Sequence, residues 1–294
     1  MRITEAMMLN TALENQATAS STMAQLTQEA SSGLRVAQPS DDPVAWSNIQ
    51  QQDSTMSVLQ ARGSAATQAG GDLDLAESTL AQATDLLTQA QSIAVEGANG
   101  TETAASRANA ATQVTSLTQQ LVALANTRGS TGYLFGGTAS NVPPFDASGV
   151  FHGNGGTTSV EIADGVTATS NASGADAFTA AGGTNVFAAL EGLATALSSN
   201  DPAGIQASIG TLGTATTQLT AARIKTGLSA SVLTSASTAI ATAVTQIQVS
   251  VASEADADAP STLSSLQAAQ TSFQAAIDVN KEVLSASLAA LGGA

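Results

Sequence analysis

The chain has 294 residues, a formal net charge of −15 and no cysteine. Eight Lys and Arg stand against 23 Asp and Glu, so nothing draws it electrostatically to phosphate backbones or anionic lipid, which argues against nucleic acid and membrane as partners. Without thiols there are no disulfides, thiolate metal sites or cysteine nucleophiles.

Apolar residues make up 43 % but aromatics only 3 %. Such an Ala-rich chain favours helix and thin helix-on-helix packing over one thick core. Charged residues are only 11 %, so Ser, Thr, Gln and Asn carry the polar surface, which suits contact with other protein.

The start, Met1-Arg2-Ile3-Thr4-Glu5, has no basic segment followed by an apolar one, so no cleaved secretory signal is expected. No apolar run approaches the ~20 residues that span a bilayer. From Ala6 to Leu34 there is no Pro and no Gly until Gly33, and apolar residues recur at Ile3, Met7, then Leu9, Leu13, and later Met23, Leu26 and Ala30, mostly three or four apart. This predicts an amphipathic helix that stops at Gly33.

Asp42-Pro43 reads as a helix start, with Asp42 capping free amides and Pro43 at the first helical position. The following tract reaches about Gly97, with Gly63 and Gly70-Gly71 as weak points; unbroken, it would be roughly 80 Å long. Another helix is expected from about Thr103 to Thr131.

Composition then changes. Residues 133–183 are rich in Gly, Thr, Ser and Asn. Val160-Glu161-Ile162 alternates, Asp164-Gly165 is a two-residue hairpin signal, and Val166 to Thr169 can return as a second strand. Helix resumes near Asn185 and again after Asp201-Pro202, running towards Val251. The acidic stretch from Glu254 to Asp258 leads to Pro260, a further boundary.

In the last segment, steps of three and four from Leu263 reach Leu266, Gln270, Phe273, Ile277, Asn280, Leu284, Ser287 and Leu291, a heptad seam with polar interruptions. An ordinary amphipathic core helix has the same period. Six buried apolar side chains at ~1.5–3 kcal/mol each do not outweigh backbone ordering at ~1–2 kcal/mol per residue. A lone terminal helix is therefore marginal and needs the other terminus or a neighbouring subunit.

Catalytic chemistry is sparse. His152 is the only histidine and lies in a turn. Gly132 to Gly137 is glycine-rich but lacks the spacing and the Lys of a phosphate loop. Asp41-Asp42 and the 254–258 run could hold a hard cation weakly, but capping and solvation explain them more cheaply, and Asn171-Ala172-Ser173 is a chance sequon. No catalytic, cofactor or metal residue is assigned, and the chain is read as a non-enzyme.

Three blocks carry a family resemblance. Met1-Arg2-Ile3, a polar helix and Leu34-Arg35-Val36-Ala37-Gln38-Pro39-Ser40-Asp41-Asp42-Pro43 resemble the N-terminal region of bacterial flagellins and their hook-associated relatives. Gly132-Tyr133-Leu134-Phe135-Gly136-Gly137-Thr138, Pro143-Pro144-Phe145 and Phe151-His152-Gly153 resemble the hook–filament junction branch; Phe151-His152 departs from its pattern, where a Tyr is expected. The C-terminal heptad helix is shared with flagellins.

The resemblance implies a structural layer between hook and filament, outside the cell, exported by the flagellar type III route without a cleaved signal. It implies neighbouring copies, the hook-side junction protein and flagellin as partners, with an export chaperone on the C-terminal helix and no cofactor. A short flagellin and a secreted helical adhesin are the alternatives.

The expected fold is mainly α: a long helical bundle with paired N- and C-terminal coiled-coil helices and a small β-rich insertion. The expected division is residues 1–42 with 259–294 for assembly, 43–132 with 184–258 as central bundle, and 133–183 as insertion. Ile3, Leu9, Leu13, Leu263, Leu266, Phe273, Ile277, Leu284 and Leu291 are expected at the assembly interface.

Overall fold

The computed structural model describes residues 5–179 and 183–292, with side chains over 7–179 and 183–286. The described residues form α1 (Glu5–Ser32), α2 (Pro43–Gly97), α3 (Ala104–Ala125), β1 (Ser159–Ala163), β2 (Val166–Thr169), α4 (Gly174–Phe178), α5 (Val186–Ser198), α6 (Pro202–Ala255) and α7 (Ala259–Gly292). The mainly helical fold with a small β insertion is thus as expected. Two compact units result, Met1–Ser57 with Val244–Ala294, and Val58–Ala243.

Local signals set most boundaries. Gly33 ends α1 in the left-handed region, at φ 73°, where a Cβ would be penalised. Asp42 caps α2: its Oδ1 accepts from the Val44 and Ala45 amides at 3.2 and 3.0 Å, and Pro43 needs no partner at the first position. Asp201 does the same for α6, accepting from the Ala203 amide at 3.1 Å.

Glycines do not break α2. A Cβ on Gly63 would lie 3.1 Å from Ile240 Cγ2, and one on Gly70 3.8 Å from Leu233 Cβ. At Gly63 the missing side chain lets α6 approach closely, so tertiary packing there overrides the poor helix propensity; at Gly70 a side chain would fit in ordinary contact.

Two boundaries differ from the sequence expectation. α3 stops at Ala125 rather than near Thr131, because Asn126 turns out of the helix to exchange two hydrogen bonds with the Phe145 main chain, at 2.8 and 3.0 Å. α6 continues to Ala255, past Val251. It also holds an 18-residue window of mean hydropathy 1.3, apolar enough by composition to cross a membrane, of which 17 % is buried. Its Ala, Val and Ile are interleaved with Ser and Thr, so no continuous apolar run appears in the sequence.

Residues 58–243 share one core. α3 packs on α5, and Leu73, Leu80, Leu87, Leu121, Leu190, Leu193, Leu212 and Leu219 are buried with Phe135, Phe145 and Phe178. Five of the chain's six Phe, at 135, 145, 151, 178 and 187, form a linked cluster with ring centroids 5.0 to 5.7 Å apart. The hairpin pairs antiparallel, Ser159 with Thr169 and Val160 with Ala168, turning at Gly165 with φ 70°.

The glycine-rich block is fastened to α2 by Asp72, which accepts from the Ser130 amide at 2.8 Å and from its hydroxyl at 2.7 Å. Gly137, at φ 70°, passes so close to Asn154 that a Cβ would sit 2.1 Å from its carbonyl oxygen.

One buried cation organises the turns of this unit. Arg107 is 5 % exposed and donates to the carbonyls of Gly97 (2.8 Å) and Asn99 (3.0 Å) and to Asn200 Oδ1. Among the described residues no carboxylate pairs with it. The Gly97 carbonyl belongs to the last residue of α2, the negative end of its dipole. Asn200 is the one non-glycine at positive φ among the described residues (53°), and its side chain reaches the guanidinium.

Replacing Arg107 by Ala strands three acceptors and should lower stability by about 2–4 kcal/mol. Urea unfolding monitored by circular dichroism tests this; a loss below about 0.5 kcal/mol would refute the account.

Candidate assembly interface

The terminal unit is built from its loop upward. Residues 33–42 clasp the end of α6. The Arg35 and Val36 amides donate to the Ala255 carbonyl at 2.7 and 3.2 Å, and the Ala257 amide to the Gly33 carbonyl at 2.8 Å. Arg35 adds Nη2 to the Glu254 carbonyl at 2.6 Å and an ion pair with Asp42 at 3.4 Å. Val36, Ala45, Ile49 and Ala255 are buried beneath, with Trp46 and Val251 packed against them. The clasp contains the sequence block that resembles flagellins and hook-associated proteins.

Its two acids serve the backbone. Asp41 Oδ2 accepts from the Ala37 and Gln38 amides, both at 3.0 Å. The Gln38 side chain, then those amides, hold the Asp41 carboxyl below its usual range. The Ala45 amide does most to lower Asp42, with Arg35 and the Val44 amide adding to it.

From the clasp, α1 and α7 run antiparallel and pack on one another. The side of α1 with reduced exposure is Leu9, Ala12, Gln16, Ala19, Met23 and Leu26. That of α7 is Thr262, Leu266, Ala269, Phe273, Ala276, Ile277, Asn280 and Val283. The steps of three and four are those of a coiled-coil seam, but α7 presents chiefly its Thr/Ala/Val stripe.

Of the expected interface residues, the structure brings Leu9, Leu266, Phe273 and Ile277 to the half-buried side of the pair. Leu13, Leu263 and Leu284 face solvent at 50, 54 and 45 % exposure. Ile3 lies outside the described residues, as does the side chain of Leu291. Gln270 is exposed, whereas Asn280 is buried and donates from Nδ2 to Gln16 Oε1. Gln16 escaped the sequence reading; the signal was its position seven residues from both Leu9 and Met23.

His152 Nε2 lies 3.1 Å from Asp146 Oδ2, and both are exposed. That contact, followed by the Val150 amide, lowers the Asp146 carboxyl below its ordinary value.

Comparison with known proteins finds relatives in sequence and in fold. Residues 3–140 match the family described as the bacterial flagellin N-terminal helical region. Flagellar hook-associated protein 3 of Salmonella typhimurium is 36 % identical over 159 residues, 52 % of this chain and 49 % of that protein.

The chain is similar to flagellar hook-associated protein 3. The Escherichia coli protein of that name is 39 % identical over 123 residues, 40 % of this chain and 38 % of that one. The chain thus spans about half the length, or less, of these curated relatives. Xanthomonas campestris FlgL shares the fold, with a TM-score of 0.61 at 17 % identity over 68 % of this chain and 99 % of that one.

Both clasp carboxyls are lowered in the folded state, so their stabilisation is present above the ordinary carboxylate range and is lost as pH falls through the lowered values. Trp46, the chain's only tryptophan, should report the clasp loosening as pH falls below about 4. Asp42→Asn should reduce that fluorescence change; an identical acid transition in the variant would show that Asp42 is not its source.

Proposed function

We propose that this chain is a structural, non-catalytic subunit of the bacterial flagellum, in the layer joining hook to filament outside the cell. The carrying observation is a paired terminal unit with unpartnered large apolar residues, in a chain similar to hook-associated protein 3. Its partners are neighbouring copies, the hook-side junction protein and flagellin, with an export chaperone on α7 before assembly and the type III route for export.

Leu9, Leu13, Leu263, Leu266, Phe273, Ile277 and Leu284 supply the assembly interface, together with Ile3 and Leu291. Residues 1–42 with 259–294 act as the assembly part, 43–132 with 184–258 as the central bundle, and 133–183 as an outward insertion. A short flagellin is the second reading, since the matched N-terminal region is one of flagellin.

Deleting the gene should yield flagellin released to the medium and hooks without filaments. Wild type should restore filaments; Leu263→Asp/Leu284→Asp should not, although its thermal unfolding stays within a few degrees of wild type. Losing two buried leucines at ~1.5–3 kcal/mol each amounts to at least about a hundredfold in association. Full incorporation of the double variant would sink the interface, and attached filaments in the deletion strain would sink the junction role.

A further inference from the structure

The α1–α7 seam repeats itself. On α1, Leu9, Gln16 and Met23 occupy one heptad position, and Ala12, Ala19 and Leu26 the other. On α7, Thr262, Ala269, Ala276 and Val283 alternate with Leu266, Phe273 and Asn280. A slip of seven residues sets Ala against the place of Ala on both helices. Steric fit along such a seam discriminates weakly between registers.

One contact breaks the repeat. Asn280 is 5 % exposed and donates to Gln16, while its own Oδ1 is buried without a partner. A heptad slip would carry Asn280 to the level of Leu9 or Met23, leaving the amide wholly unsatisfied in an apolar seam, which is strongly unfavourable. The half-satisfied amide adds little stability where it is. Its effect is to make the other registers worse, as a single buried Asn does in coiled coils.

The clasp holds Gly33 to Ala257, but Gln16 lies about 25 Å along α1 from it at ~1.5 Å per residue. Beyond the amides, the described seam consists of Leu9, Ala12 and Val283, too little to fix alignment.

We infer that the Gln16–Asn280 amide pair is the register determinant of the terminal helices, setting the height at which the distal half of α7 stands against α1. This does not rest on the junction role, because the helix pair exists within one chain.

The chain lacks cysteine, so nitroxides can be placed on cysteines replacing Thr11 and Ser285 in the full-length protein. Both positions are exposed and lie beyond the amides from the clasp. With the native amides, electron–electron resonance should give one narrow distance. In Gln16→Leu/Asn280→Leu a second, longer population should appear, from chains offset by about 10 Å along the helix axis, one heptad at ~1.5 Å per residue.

Hydrogen exchange separates register from stability. Gln16→Leu alone should speed exchange of α7 amides around residue 280 by about tenfold or more. The double variant should regain wild-type protection while its distances stay broadened. A single narrow distance in the double variant would overturn the inference, leaving the clasp as sole determinant. So would loss of α1–α7 pairing in that variant, which would make the amides a source of stability.

Discussion

The pairing of α1 with α7 is the constraint on which the terminal unit depends, because neither helix is stable alone. Each offers one seam of mostly small or half-buried residues, and a helix of this length with so little apolar burial is marginal in water. The 226 residues from 33 to 258 separate them, so closing that distance needs help from elsewhere. The clasp supplies it: main-chain bonds between residues 33–36 and 255–257, over the small core around Val36, Ile49 and Trp46, hold the two helix bases together. The polar Ser40-Asp41-Asp42 turn is thus a backbone scaffold, its carboxylates spent on amides.

Residues 58–243 solve the shortage of aromatic bulk differently. Alanine and glycine along α2 let α6 approach closely, as at Gly63, and dense packing then comes from proximity of backbones. The few large rings are concentrated under the irregular 133–183 segment, where long loops have no ladder to hold them. Arg107 gathers the last carbonyl of α2, that of Asn99 in the turn beyond it and Asn200 Oδ1. The buried guanidinium is tolerated because it meets three acceptors, one of them a helix's negative end, rather than hydrocarbon.

What was legible in the sequence was local. Asp42-Pro43, Asp201-Pro202 and Asp164-Gly165 announce their caps and hairpin because the groups that satisfy one another lie within four residues. The end of α3 was not legible, since Asn126 leaves the helix for a partner nineteen residues away. The seam of α7 was half legible. Leu266, Phe273 and Asn280 belong to two overlapping stripes, one completed by Leu263, Gln270, Ile277 and Leu284, the other by Thr262, Ala269, Ala276 and Val283. Periodicity alone favours the first for its bulk. Which stripe meets α1 depends on α1, whose own seam holds Ala12 and Ala19 and so suits a close neighbour.

This choice of stripe bears on what stabilises what. Burying leucine gains more than burying alanine, so a chain selected only for its own stability would turn Leu263 and Leu284 inward. Instead they are about half exposed, on two helices that carry few charges: Glu5, Glu14 and Glu29 on α1, and Asp278, Lys281 and Glu282 on α7. Exposed leucines with so little charge around them are a solubility liability for a free chain. The same features lower the electrostatic and desolvation cost of packing copy against copy. On the proposed reading the alanine stripe is used up in forming the pair, and the leucine stripe is left to drive assembly. The terminal unit is then marginal alone and gains its remaining stability by mass action from its neighbours.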